Sequence, residues 1–158
     1  MGRNILAVFL GYLAMAIFVM VTLSLVYAAL GASFAFRPGT LEVSWAWLTA
    51  SILFSTASAL LGGWVAARVS PHPTGMPVKV LAAVVFTLGL ALAMMQISAP
   101  EPPAEKVAEM ISRIESGDLG NFEAGGVARQ PTWYTFLLPV IGAVGVWAGG
   151  RKRPSLNA

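Results

Sequence analysis

The chain lacks cysteine altogether, and its 158 residues carry a single histidine. The first absence removes disulfides, thiol nucleophiles and thiolate-held iron–sulfur clusters. The second leaves too few imidazoles for a bis-histidine haem site, and His72, set between Pro71 and Pro73, reads as an ordinary loop residue. Charge is scarce as well: only 11% of residues are Asp, Glu, Lys or Arg, where soluble domains average about 25%. With 57% hydrophobic residues and a mean hydropathy of +0.75, a soluble globule of this size would be unable to hide its apolar surface. Composition therefore excludes a water-soluble enzyme, a disordered tail and a disulfide-stapled secreted module, and leaves an integral membrane protein.

Four apolar stretches are long enough to cross about 30 Å of hydrocarbon as helices. They run over residues 5–30, 45–67, 80–97 and 133–149, within a single membrane domain covering 1–158. A barrel would need alternating polar and apolar residues, and runs such as Leu81-Ala82-Ala83-Val84-Val85-Phe86 do not alternate. The expected fold is all-α, a bundle of four transmembrane helices. The uncharged first stretch is far longer than the 7–15-residue core of a signal peptide, so it is expected to remain as a span.

The few charges are sorted. With four spans, one side holds Arg3, Arg68, Lys79, Arg151, Lys152 and Arg153 and no acid, a charge of +6. The other side holds four cations against seven acids, a charge of −3. Cations mark the cytoplasmic side, which places both termini in the cytoplasm of a bacterial inner membrane. Trp45, Trp47, Trp133 and Tyr134 mark the outer ends of two spans, and Trp64 and Trp147 their inner ends. No basic stripe interleaved with aromatics lies outside the spans, so nucleic acid is not an expected partner. The expected partners are the lipid bilayer and other membrane subunits or a second copy of the chain.

The loops are short except for residues 98–131. There, Val107, Met110, Ile111 and Ile114 fall on one face at i, i+3, i+4 and i+7, which predicts an amphipathic helix over 104–116, ended by Gly117. It is expected to serve as a lid on the bundle or as a docking face. Residues 117–129 are glycine-rich and expected to be irregular. In the first outer loop Arg37-Pro38-Gly39-Thr40 predicts a turn, Phe34 and Phe36 are expected in the membrane interface, and Ser44 is placed to cap the second span.

Small residues supply the packing signal. Ser51, Ser55, Ala59, Gly63 and Ala67 recur at every fourth position of the second span, beside a second row of Ser58, Gly62 and Ala66. Gly145 and Gly149 repeat the spacing in the fourth span, and Ala7 and Gly11 in the first. Such rows let helices approach closely where lipid offers little hydrophobic drive, which predicts a central second span touching at least two others. Pro139 should bend the fourth span. The ends Trp64 to Arg68 and Trp147 to Arg151 echo each other, through a duplicated hairpin or through one interface solution reached twice.

No ionisable residue lies in the four apolar cores, the usual mark of ion and proton pathways. The groups needed for acid–base catalysis and any metal-ligand spacing are missing too, so neither an enzyme nor a bound cofactor is expected. The polar residues of the spans are neutral. Tyr12, Tyr27, Thr87 and Gln96 either hydrogen-bond between helices or line a small cavity.

Gly62-Gly63-Trp64-Val65-Ala66-Ala67-Arg68, together with Gln130-Pro131-Thr132-Trp133 and Pro139-Val140-Ile141-Gly142-Ala143-Val144-Gly145, resembles a type of small four-span bacterial inner-membrane protein of the domain-of-unknown-function kind. The resemblance covers most of the chain but rests on packing motifs, and it implies no activity and no functional residue. Two functions fit: a non-enzymatic accessory or assembly subunit of a larger membrane complex, or a small transporter or binding protein for an apolar or lipid-like molecule.

Overall fold

The computed structural model describes residues 2–70 and 75–151. His72, Lys152 and Arg153 lie outside the described residues. Among the described residues seven helices follow one another: α1 (Gly2–Leu30), α2 (Ala32–Ala35), α3 (Trp45–Val69), α4 (Met76–Ser98), α5 (Ala104–Ser116), α6 (Asn121–Val127) and α7 (Thr132–Arg151). Four of them, α1, α3, α4 and α7, are long and apolar enough to cross a membrane, which fits a multi-pass integral membrane protein. Each extends beyond its apolar core by a few residues, because interfacial Arg3, Arg68, Lys79 and Arg151 are absorbed into the terminal turns.

Local chemistry fixes the ends. The Ser44 hydroxyl accepts the Trp47 N–H at 3.0 Å and starts α3. Pro77 sits in the first turn of α4, where a missing N–H is harmless. Gly117 adopts φ 79° and closes α5, as the Asp118 N–H reaches back to the Arg113 carbonyl at 3.0 Å.

α3 is the hub, with its two rows of small residues serving different partners. Ser58, Gly62 and Ala66 face α1. The Ser58 hydroxyl donates to the Met15 carbonyl at 3.0 Å, and a Cβ added to Gly62 would lie 2.8 Å from the Gly11 carbonyl oxygen. Ala59 and Gly63 face α7, which runs parallel to α3. A Cβ on Gly63 would collide with the Val146 backbone, one on Gly149 with the Leu60 backbone, and one on Gly145 would approach the Ala59 methyl to 2.6 Å. These helices thus approach as closely as backbone atoms allow. Ala67 belongs to the same buried group as Ala59, Val78, Leu81 and Val146.

On its other side α7 meets α4, running antiparallel. α7 continues as one helix through Pro139, whose ring lies against Gly89; a Cβ there would come within 2.9 Å of Pro139 Cγ. The echoing ends lie side by side: Gly63 and Val146, which touch, each precede a tryptophan. Arg68 stacks over Trp64 at 4.8 Å, and Arg151 over Trp147 at 3.4 Å. At the opposite end Trp45 and Trp133, which begin α3 and α7, stack with centroids 6.2 Å apart.

That opposite end carries a cap of α2, α5, α6 and the turn at residues 37–40. Gly39 takes φ 68° in this turn. Two isolated β-bridges join the loops there: Phe36 pairs with Val43 and Glu42 with Arg129, and the Arg129 N–H donates to the Leu41 carbonyl at 2.8 Å. The apolar face of α5 turns inward. Met110 and Ile114 are buried with Tyr27, Phe36, Leu41, Leu119 and Ala124, and Val107 and Ile111 pack against them. Two expectations are corrected here. Residues 121–127 form α6 rather than irregular chain, because Ala124 is anchored in the cap core despite Gly125 and Gly126. Phe36 is buried beneath α5 instead of lying in the interface, because α2 turns the chain back under the cap.

Candidate binding cavity

Between the last turns of α1 and the first turns of α3 and α7 lies a cavity of about 380 Å³, covered by α6. Its walls are mostly apolar, with Val19, Met20, Leu23 and Leu138 lining it. Neutral polar side chains stand among them, with Ser24, Tyr27, Asn121, Gln130 and Tyr134 beside Trp47 and Phe36. Ser51 and Ser55 of α3 add hydroxyls along the back wall. Phe122, 84% exposed, stands at the mouth with Met20.

The polar groups are positioned by specific bonds. Tyr27, near the end of α1, is buried and donates its phenol to the Leu119 carbonyl at 2.8 Å, tying α1 to the segment between α5 and α6. Asn121, the first residue of α6, donates from Nδ2 to the Ser24 hydroxyl at 2.8 Å. Trp47 meets Tyr27 edge-on, with centroids 6.1 Å apart. Ser51 is 4% exposed; its hydroxyl lies beside the Tyr134 phenol but makes no hydrogen bond of good geometry.

Among the described residues no Asp, Glu, Lys, Arg or His lines the cavity. Arg129, between the lining residues Ala128 and Gln130, is exposed, and two further cations are paired on the outer surface of the cap. Arg113 grips Glu123 through two 2.7 Å hydrogen bonds, clamping α5 to α6. That hydrogen-bonded guanidinium holds the Glu123 carboxyl below the usual range, and the carboxylate in turn raises Arg113. Arg37 pairs with Glu42 at 2.7 Å and covers the Trp45 ring at 5.6 Å.

Sequence reasoning assembles this site only partly. Of the candidate cavity residues, Tyr27 lines it. Tyr12, Thr87 and Gln96 lie on the exposed surface of the bundle instead, and the Thr87 hydroxyl donates to its own helix, to the Ala83 carbonyl at 2.8 Å. A hydroxyl four residues beyond a helical carbonyl has that partner always at hand, so a polar residue in a span need not face inward. Ser51 and Ser55, expected as helix-packing residues, line the cavity, while Ala59, Gly63, Gly145 and Gly149 sit where α3 and α7 touch. Asn121, Gln130, Trp47 and Tyr134 were not singled out as cavity residues. Their available signal was proximity to the same membrane boundary as Ser24 and Tyr27.

Comparison with protein-family models, with curated proteins and with solved structures returned no match to this chain.

Proposed function

We propose that the chain is a non-enzymatic bacterial inner-membrane protein that holds a small amphiphilic, lipid-like molecule at its periplasmic end. The observation that carries this reading is the cavity beneath α6, with mostly apolar walls and a set of neutral polar side chains among them. Its volume falls within the roughly 300–1,000 Å³ of small-molecule sites. Such walls match a molecule with a hydrocarbon tail and a small polar head. An accessory subunit would need free small-residue faces for docking, whereas the rows on α3 and α7 meet partners within the chain. The lack of ionisable groups in the apolar cores favours binding over proton- or ion-coupled transport. Both termini are assigned to the cytoplasm by the +6 against −3 division of charge.

The test is retention. The full chain, extracted from membranes in a mild detergent, should carry a bound amphiphile in near-equimolar amount, enriched over the bulk lipid extract. Ser55→Phe, which fills the back wall, should lose that molecule while its thermal unfolding stays cooperative. A wild-type extract whose composition matches bulk lipid would remove the proposal.

A further inference from the structure

The chemistry of the head follows from what the cavity walls can and cannot solvate. We infer that the cavity selects an uncharged, oxygen-bearing head, a hydroxyl or carbonyl group on a hydrocarbon chain, and rejects a phosphate-bearing lipid. The inference rests on the binding role proposed above and narrows it to a chemical class.

Three observations support it. First, every polar side chain lining the cavity is neutral: Ser24, Tyr27, Ser51, Ser55, Asn121, Gln130 and Tyr134. An anion placed among them would lose its water without gaining a cation, a penalty that excludes unpaired buried charge from protein interiors. Second, none of the cations of the capped end lines the cavity, the exposed Arg129 between the lining residues Ala128 and Gln130 included, and two of them are paired elsewhere. Arg113 is held in the bidentate clamp on Glu123, and Arg37 bonds Glu42 and covers Trp45. Neither lines the cavity. Recruiting either for a phosphate would break a pair that closes the cap. Third, Ser51 is more than nine-tenths buried and lines the cavity with a hydroxyl that has no well-formed hydrogen bond. The neighbouring Tyr134 phenol can share one hydrogen bond with it, which leaves one more for an oxygen in the cavity. A carbonyl or hydroxyl oxygen one or two turns below the cap would accept from it. Tyr134, beside it, places a second hydroxyl on the same wall.

A glyceride hydroxyl and a quinone carbonyl both satisfy these constraints. They are the two sources the experiment must separate.

The full chain, purified in a non-ionic detergent, is irradiated with a diazirine-bearing diacylglycerol, and the labelled peptides are mapped. Competitors are unlabelled diacylglycerol, an isoprenoid quinone, and phosphatidic acid with the same acyl chains as the diacylglycerol. Label should appear on the segments containing residues 19–27 and 134–138. Diacylglycerol or the quinone should compete at least about tenfold better than phosphatidic acid, and whichever competes more strongly identifies the source. Ser51→Ala, a small change that keeps the helix contacts, should weaken the preferred competitor by about threefold to tenfold, the range of one hydrogen bond. Equal competition by phosphatidic acid overturns the selectivity while leaving an amphiphile site in place. Unchanged competition in Ser51→Ala overturns the role of that hydroxyl. Label confined to the outer surfaces of α1 and α4 overturns the cavity reading itself, and the inference with it.

Discussion

Gly63 offers a direct test of how the core is held together. A methyl group added there would fall within 3.0 Å of the Val146 carbonyl oxygen, carbonyl carbon and Cα. These are backbone atoms of a neighbouring helix, so no rotamer change relieves the clash, and α3 and α7 must part. Overpacking of this kind costs about 1–3 kcal/mol. For a chain of this length that is roughly 2–12 °C in Tm. Gly63→Ala should therefore show this loss in detergent, and Gly63→Leu should prevent normal assembly. Gly126→Ala is the matched control. Its added methyl meets nothing within 4 Å, and alanine is favoured over glycine in a helix by up to about 1 kcal/mol. It should leave Tm unchanged or slightly raised. The two sites of close α3–α7 approach also make a coupled prediction. Gly149→Ala strikes the Leu60 backbone, and once the helices have parted for one methyl the second should cost less. The double variant should then lose less than the sum of the singles, by about 0.5–3 kcal/mol. An unchanged Tm in Gly63→Ala, or strict additivity in the double variant, would refute direct backbone contact between α3 and α7.

Other outcomes follow from the cap and the charge distribution. Tyr27→Phe strands the buried Leu119 carbonyl, at a cost of about 1–3 kcal/mol, and should expose residues 117–120 to limited proteolysis. The Glu123 carboxyl has a lowered folded pKa, so its contribution is present above the ordinary carboxylate range and is lost as pH falls through the lowered value. The protection of α6 amides from exchange, relative to the intrinsic rate at each pH, should fall as the pH drops below the ordinary carboxylate range. In Glu123→Gln that protection should already be reduced at neutral pH and show no such fall. A C-terminal alkaline phosphatase fusion should be inactive, and the same reporter inserted between Gly117 and Gly120 active; the reverse pattern would invert the orientation.

The architecture is legible where a single physical requirement dominates. Hydrocarbon thickness and uncharged length mark α1, α3, α4 and α7, and the bounds of α5 can be read because Pro103 and Gly117 stop a strongly amphipathic run at both ends. What escapes is whatever depends on distant segments meeting. α6 has Gly125 and Gly126 in seven residues and no periodicity worth reading; it is helical because Ala124 reaches a core built by α1, α2 and α5. Phe36 looks like an interfacial aromatic until the chain reverses at α2. The cavity draws on five helices and the loops between them, so no local pattern announces it. Tyr27 was visible as a polar residue in an apolar span, but Thr87 carried the same signal and bonds to its own backbone.

The double use of α3 also sets an order of assembly. Its Ser58–Gly62–Ala66 face meets α1, already made when α3 emerges, so the first hairpin can close early. Its Ala59–Gly63 face lacks its α7 partner until that later helix arrives. Until then lipid must fill the place where Val146 will lie. The same late helix brings Tyr134 and Leu138, one whole wall of the cavity. A chain interrupted anywhere before Thr132 would therefore lack that wall, and the ability to hold a ligand would report that synthesis had passed α7.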